Sequence, residues 1–385
     1  MRFQCNGRFV RRLALGLGAC VIGSFPHRAS AVVGYNVIPL APGFSESVPF
    51  SLSNNGQVVG YYFDGGPKSF LRSSNGSFST ITSFQGSGSL SGYSGVVAIN
   101  DAGQLGGSIN ARGIVITNGV PFSLSTPDAY PYSGVAKINE FGQFVGTMQP
   151  SFSDSSQGHG FLYSGGQLTD LGALPGHLYS SANDINDSGV VVGESSLGDS
   201  ITSRPFRYAN GTMTDLGTLG GLASFAKAIN AAGDVVGDSM VSGSDWGSVH
   251  GFVYRDGGIH DLGTLPGTTI SSANDINSAG DIVGACAIAV GQPFYHAFID
   301  RNGVMTDLNS LISPASGWTL QQANGINDDG WIIGVGFTAS GGNLRQAFLL
   351  QPVPEPSTAP IIFTVASLCL SRSDRRATRR KSRKA

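Results

Sequence analysis

The chain is poor in charge and in cysteine. Only 12% of its 385 residues are charged, and it has 4 Cys. Cys5 and Cys20 fall at the start and Cys369 in an apolar stretch near the end, so Cys286 is alone in the body. A disulfide framework is therefore excluded, and the fold must stand on burial. Cys286 is read as a small buried side chain rather than a nucleophile. Basic residues are scarce where a nucleic-acid partner would need them. Five of the 23 Lys and Arg lie in the first 28 positions and eight in the last 14. Residues 32–371 keep 10 basic against 24 acidic residues, a net of −14. Phosphate binding requires clustered cations, so no nucleic acid is expected as a partner. The 56 Gly lack a period of three, which excludes collagen. No body segment carries helical periodicity over 11 residues. The 41% apolar content is too high for disorder.

What the sequence does contain is a repeated phrase. Its clearest copy is Asp184-Ile185-Asn186-Asp187-Ser188-Gly189-Val190-Val191-Val192-Gly193. Variants centre on Asn100, Asn139, Asn230, Asn277 and Asn327, with a degraded copy on Ser53. Successive centres are 47, 39, 47, 44, 47 and 50 residues apart, a mean of about 46. Such a period marks a repeat architecture. Each full unit has four short parts: an Ala-X-X-Ile-Asn run, a Val-Val-Gly run, a Gly/Ala-Phe run such as His250-Gly251-Phe252, and Thr-Asp-Leu-Gly as at Thr214–Gly217. Gly165-Gly166, Asn210-Gly211, Asp256-Gly257 and Asn302-Gly303 separate the last two parts and are hairpin signals. Four antiparallel strands per unit predict an all-β fold, a seven-bladed β-propeller of four-stranded blades. The last unit lacks a fourth strand, and Tyr35–Leu40 precedes the first, so that segment is expected to complete the last blade and close the ring. An open β-solenoid is the alternative fold.

Both ends read as addresses. A basic start, an apolar run from Leu13 to Phe25 and Ala29-Ser30-Ala31 have the layout of a secretory signal covering residues 1–31, cut by signal peptidase after Ala31. Leu17–Cys20 also resembles a lipobox, which would lipidate Cys20. Arg11-Arg12 raises a twin-arginine signal without further support. At the other end, Pro354-Glu355-Pro356 is followed by apolar Ala359–Leu370 and a basic cluster. This segment, residues 352–385, resembles the PEP-CTERM sorting signal of exported bacterial proteins. The resemblance implies recognition by an exosortase-type membrane protease through Pro354, Glu355 and Pro356. It also implies a cell-surface or extracellular location reached through a transient C-terminal membrane anchor. Twelve apolar residues span only ~18 Å as a helix, short of a ~30 Å hydrocarbon core. The body, residues 32–351, resembles the HAF repeat of bacterial extracellular proteins in its His296-Ala297-Phe298 run and in His-Gly-Phe at 159–161 and 250–252. That family brings no established activity.

The candidate chemistry is thin. Asp184-X-Asn186-X-Ser188-Gly189 partly matches a calcium loop and is comparable with FG-GAP repeats. Ala98, Lys137, Ala228 and Gly325 replace the first acid in other copies, so the phrase is read as a hairpin turn begun by Asn and ended by Gly at positive φ. The periodic His159, His250 and His296 are assigned hydrogen-bonding roles rather than metal binding, and Asp170, Asp215, Asp261 and Asp307 are assigned to turn caps. Asp154, Asp199, Asp245, Trp246 and Trp318 do not repeat. Of these, Asp245, Trp246 and Trp318 could form a rim on which a surface polysaccharide stacks. No catalytic, metal or cofactor site is assigned. The expected function is a non-catalytic surface interaction module. The alternative is a secreted propeller enzyme, a polysaccharide hydrolase or lyase.

Overall fold

A computed structural model describes residues 34–44, 46–81, 95–151, 156–198, 202–241, 248–288, 295–339 and 344–353. The strands within it fall into five four-stranded antiparallel sheets and one eight-stranded sheet. The larger sheet is two such sets side by side, joined by one parallel pair, Ser203 with Ala223. The only helical segments among the described residues are short turns at Leu308–Leu311 and Pro314–Ser316. None of the described helices is long and apolar enough to cross a membrane. This is the β-propeller expected from the repeat.

The Asn186 repeat shows why the sequence folds this way. Its strands are Tyr179–Ile185, Val191–Ser196, Ser203–Ala209 and Thr212–Asp215, paired in that order. Asn186 closes the first hairpin. Its carbonyl accepts from Gly189 N at 3.0 Å, and its side-chain oxygen accepts from Ser188 N and Val190 N, both at 3.1 Å. The Asn210-Gly211 hairpin has φ of 51° and 79°, the double positive that a type I′ turn needs.

The Val-Val-Gly run has a steric cause. The inner strand bulges at Asn183, between Ala182 and Asp184, and Gly193 lies opposite the bulge. A Cβ on Gly193 would sit 1.8 Å from the Ser181 carbonyl oxygen, so no larger residue fits. A Cβ on the equivalent Gly107, Gly146, Gly237 and Gly284 would meet a carbonyl oxygen at 1.9 Å, on Gly334 at 2.1 Å and on Gly60 at 2.3 Å. On the other side of each glycine lies the aromatic of the Gly/Ala-Phe run. Gly146 pairs with Phe161, Gly193 with Phe206, Gly237 with Phe252 and Gly284 with Phe298. All four phenyl rings are completely buried. In the Asn100 repeat Ile114 takes the place of the Phe, opposite Gly107.

The ring closes through the chain's first described strand. Tyr35–Pro39 pairs antiparallel with Gln346–Pro352, completing the sheet begun by Trp318–Ile326. Arg301 ties this seam to the preceding repeat, reaching Tyr35 Oη at 2.7 Å and Asp281 at 3.0 Å. Cys286 is fully buried, its Sγ 3.6 Å from Met305 Sδ, and burial pushes its thiol up.

Candidate functional site

The inner-strand turns gather around one depression, lined by tiers of residues that the repeat places in register, one of them apolar: Leu52 and the six isoleucines that precede the asparagines. The next tier is the turn asparagine itself. Asn100 Nδ2 donates to the Asn139 carbonyl at 2.9 Å, Asn139 to Asn186 at 3.1 Å and Asn186 to Asn230 at 3.0 Å. Asn230 donates to Asn277, Asn277 to Asn327 and Asn327 to Ser53, each at 3.2 Å. The asparagine is thus a turn residue and an inter-repeat staple at once. Only the first role is legible in the sequence. Ser53 has no amide, and there Asn55 takes over, its Nδ2 reaching the Asp101 carbonyl at 2.7 Å.

The tier one residue further on carries four acids, Asp101, Glu140, Asp187 and Asp328, beside Asn54, Ala231 and Ser278. These carboxylates accept main-chain N–H groups from the neighbouring repeat. Glu140 takes the N–H of Asp101 at 3.0 Å, Asp187 that of Glu140 at 3.0 Å and Asp328 that of Ser278 at 2.8 Å.

The last tier lies two residues before each asparagine and breaks the symmetry. Its members are Ser51, Ala98, Lys137, Asp184, Ala228, Asp275 and Gly325. The scatter of residue types at these positions is what argues against a calcium loop in the sequence. The structure brings the three charged ones to a single place. Lys137 Nζ lies 3.9 Å from Asp184 Oδ1. Asp275 feels both of them. Each aspartate bridges two repeats: Asp184 accepts from Ile185 N at 2.8 Å and Ile229 N at 2.9 Å, and Asp275 from Ile276 N and Ile326 N at 2.9 Å. Gly325 gives Asp275 its space, because a Cβ there would lie 3.3 Å from Asp275 Oδ2.

Burial dominates the electrostatics of the aspartates. It pushes Asp184 up despite Lys137 and two N–H donors, and it pushes Asp275 up to about 6. Lys137 is also raised, because attraction to Asp184 outweighs its own burial. The attraction is shared equally, and the difference lies in burial: for the ammonium the attraction exceeds the cost of burial, and for the carboxylate it does not. Lys137 keeps a third of its side chain open to the channel, which eases its desolvation, whereas Asp184 is buried.

The periodic histidines pair within their own repeats. His159 Nδ1 lies 2.9 Å from Asp170, His250 2.9 Å from Asp261 and His296 2.8 Å from Asp307. The same aspartates cap turns, Asp170 accepting from Gly172 N at 2.8 Å and Asp261 from Gly263 N at 2.7 Å. The common spacing of 11 residues was the signal for this pairing. Among the described residues no three His, Cys, Asp or Glu side chains gather as metal ligands would.

The candidate rim divides. Trp318 begins the inner strand of the last sheet, is half-buried against the core and meets Phe348 edge-on with centroids 6.0 Å apart. Asp245 and Trp246 lie outside the described residues, as do Asp154, Asp199, Ala29, Ala31, Cys20, Pro354, Glu355 and Pro356.

No protein-family model matches the chain, and no curated protein does. Solved structures do. The Pyrococcus horikoshii acylaminoacyl peptidase aligns with a TM-score of 0.51 at 9% identity, over 82% of this chain and 54% of that one. The chain thus spans about half of that peptidase's length. The β-propeller domain of the Trilobed protease from Pyrococcus furiosus gives 0.48 at 9% identity, over 82% of this chain and all of that one. A putative TolB from Agrobacterium tumefaciens gives 0.41 at 11% identity, over 65% of this chain and 86% of that one. At such identities the likeness is one of fold.

Proposed function

We propose that the chain is an exported, seven-bladed propeller that serves as a non-catalytic interaction module at the cell surface or in the extracellular matrix. The observation that carries this reading is the use made of the channel's charged groups. Asp184 and Asp275 are each committed to two main-chain donors, and Lys137 is held by Asp184. Acid–base catalysis needs a group within reach of the reacting atoms and free to exchange its proton. Here the carboxylates join repeats instead. The depression they line holds only about 160 Å³, too little for a polysaccharide chain threaded through it.

The sorting part of the proposal rests on the order of Pro354-Glu355-Pro356, apolar run and basic end. Prolines keep such a motif extended and readable. The partners this reading implies are signal peptidase and an exosortase-like membrane protease.

The runner-up, a secreted polysaccharide hydrolase or lyase, draws on Asp275, whose raised affinity for a proton is what a general acid needs. Incubating the full chain with a panel of surface polysaccharides decides between the two. Binding without chain cleavage is expected, and cleavage that Asp275→Asn abolishes would overturn the module reading. Replacing Pro354, Glu355 and Pro356 with alanine is expected to leave an unprocessed membrane form, and processing identical to that of the unaltered chain would refute the sorting proposal.

A further inference from the structure

At two gaps neighbouring repeats are bridged at one level of the ring by the residue that follows the Val-Val-Gly glycine. Thr147 Oγ1 bonds Ser181 Oγ of the next repeat at 2.7 Å. Asp238 receives Lys227 Nζ at 2.6 Å, and the same ammonium reaches Ser272 Oγ of the next repeat at 2.8 Å. At the following gap the register position is Ala285, which has nothing to bridge with. A cavity of about 190 Å³ opens there, between Ile282–Ala287 and the inner strand Trp318–Ile326.

The lining of this cavity is chemically distinct. Ala285, Ala287 and Val335 give it an apolar wall, and Gln321, Gln322 and Arg345 give it polar groups. Among the described residues neither the Gln322 amide nor the Arg345 guanidinium has a hydrogen-bond or ion-pair partner, and Arg345 is exposed. Among the described residues five of the body's ten cations are ion-paired: Lys68, Lys137, Lys227, Arg255 and Arg301.

We propose that this cleft binds a single carboxylate-bearing sugar unit, a uronic acid residue of an acidic glycan. The inference rests on the reading of the chain as a binding module and gives that module a ligand class. A guanidinium fork matches a carboxylate in two parallel hydrogen bonds. Side-chain amides both donate to and accept from ring hydroxyls. The alanine–valine wall takes the C–H face of the sugar. The volume suits one ring, so the glycan enters by an end or a branch.

The test uses the full chain with D-glucuronate, glucose and acetate as probes, followed by ligand-detected NMR titration. Glucuronate is expected to bind at least roughly tenfold more tightly than glucose or acetate, the range of one charge-assisted contact. Arg345→Gln, on an exposed side chain, is expected to weaken glucuronate by roughly tenfold or more. Ala285→Asp, which fills the gap and adds a negative charge, is expected to abolish binding. If Ala285→Asp fails to fold, Arg345→Gln still decides. Unchanged glucuronate affinity in Arg345→Gln overturns the site. Acetate or glucose binding as tightly as glucuronate overturns the uronate assignment. Polysaccharide bound without cleavage, in a chain that ignores glucuronate, overturns this inference and leaves the module reading intact. Cleavage of the polysaccharide overturns the module reading itself.

Discussion

The side-chain amide of Asn327 donates to the main-chain carbonyl of Ser53 at 3.2 Å, across 274 residues of chain. The same bond links five other neighbouring pairs of repeats, so the first and last turns meet as any two adjacent ones do. Beside it, Asp328 N donates to Asn54 Oδ1 at 3.0 Å. The seam is therefore closed twice, at its turns and at the strand pair formed by Tyr35–Pro39 and Gln346–Pro352.

Asn327→Ala should cost about 2–3 kcal/mol, since it removes a buried donor and leaves the Trp331 N–H, now held at 2.8 Å, without its acceptor. Ser53→Ala loses the bond that its hydroxyl accepts from Gln57 N at 3.0 Å and the one it donates to Asn55 Oδ1 at 2.6 Å, both within a partly exposed turn, and should cost about 1–1.5 kcal/mol. Urea midpoints of the two variants give the comparison. Equal losses would mean that the turn, and not the bond across the seam, is what matters.

Two glycines of one repeat should respond to very different degrees. Gly193→Ala pushes a Cβ to 1.8 Å from a carbonyl oxygen that the inner strand cannot move, so a loss above about 4 kcal/mol or failure to fold is expected. Gly189→Ala meets only the end of the Gln143 side chain at 3.6 Å, and its φ of 73° costs about 1–2 kcal/mol. Soluble yield and thermal midpoint separate them. A mild effect at Gly193 would contradict the close approach that explains the Val-Val-Gly run.

The scaffold was legible because each repeated residue meets a local demand. Asn186 and Gly189 make a turn, Asn210-Gly211 makes a hairpin, and Phe206 needs a core. These demands recur at a fixed period, and the period is visible in one sequence. The inter-repeat bonds were not legible in the same way. That Asn186 also reaches Asn230 depends on the radius of the ring, which no local pattern encodes. The site was hidden for a related reason. Lys137, Asp184 and Asp275 are 47 and 91 residues apart and differ in type, so they looked like decay of a motif. They converge only because the turn position of every repeat points at one axis. Ala285 was invisible for the opposite reason, as an absence that matters only when the preceding gap is seen to be filled by Asp238 and Lys227.

Stability should rise on mild acidification. Asp275 has its folded value raised to about 6, above the ordinary carboxylate range, so the folded state takes up its proton first. The stabilisation this gives is fully present below pH ~4 and is lost as pH rises through about 6. At most it amounts to about 2–3 kcal/mol between pH 4 and 7.5. Asp184, Glu140 and Asp300, raised by burial, act in the same direction. Unfolding free energies across that range should fall with pH in the unaltered chain and fall less steeply in Asp275→Asn. The same slope in both would remove Asp275 from the account.

Lys137→Met tests the charge balance of the channel from the other side. The ammonium sits 3.9 Å from Asp184 with 33% of its side chain exposed, so its loss should cost less than breaking a fully buried pair and more than breaking a surface one. About 1–2 kcal/mol at pH 8 is the expected penalty. At pH 5 Asp275 is largely protonated, and Lys137 faces less negative charge. The penalty should then fall to about half or below. Methionine retains the length and apolar stem of lysine, so lost packing contributes little to the difference between the two pH values. Urea unfolding of both chains at each pH gives the coupling directly. A penalty independent of pH would mean that Lys137 acts through its stem, and that the two aspartates are held by the main-chain N–H groups alone.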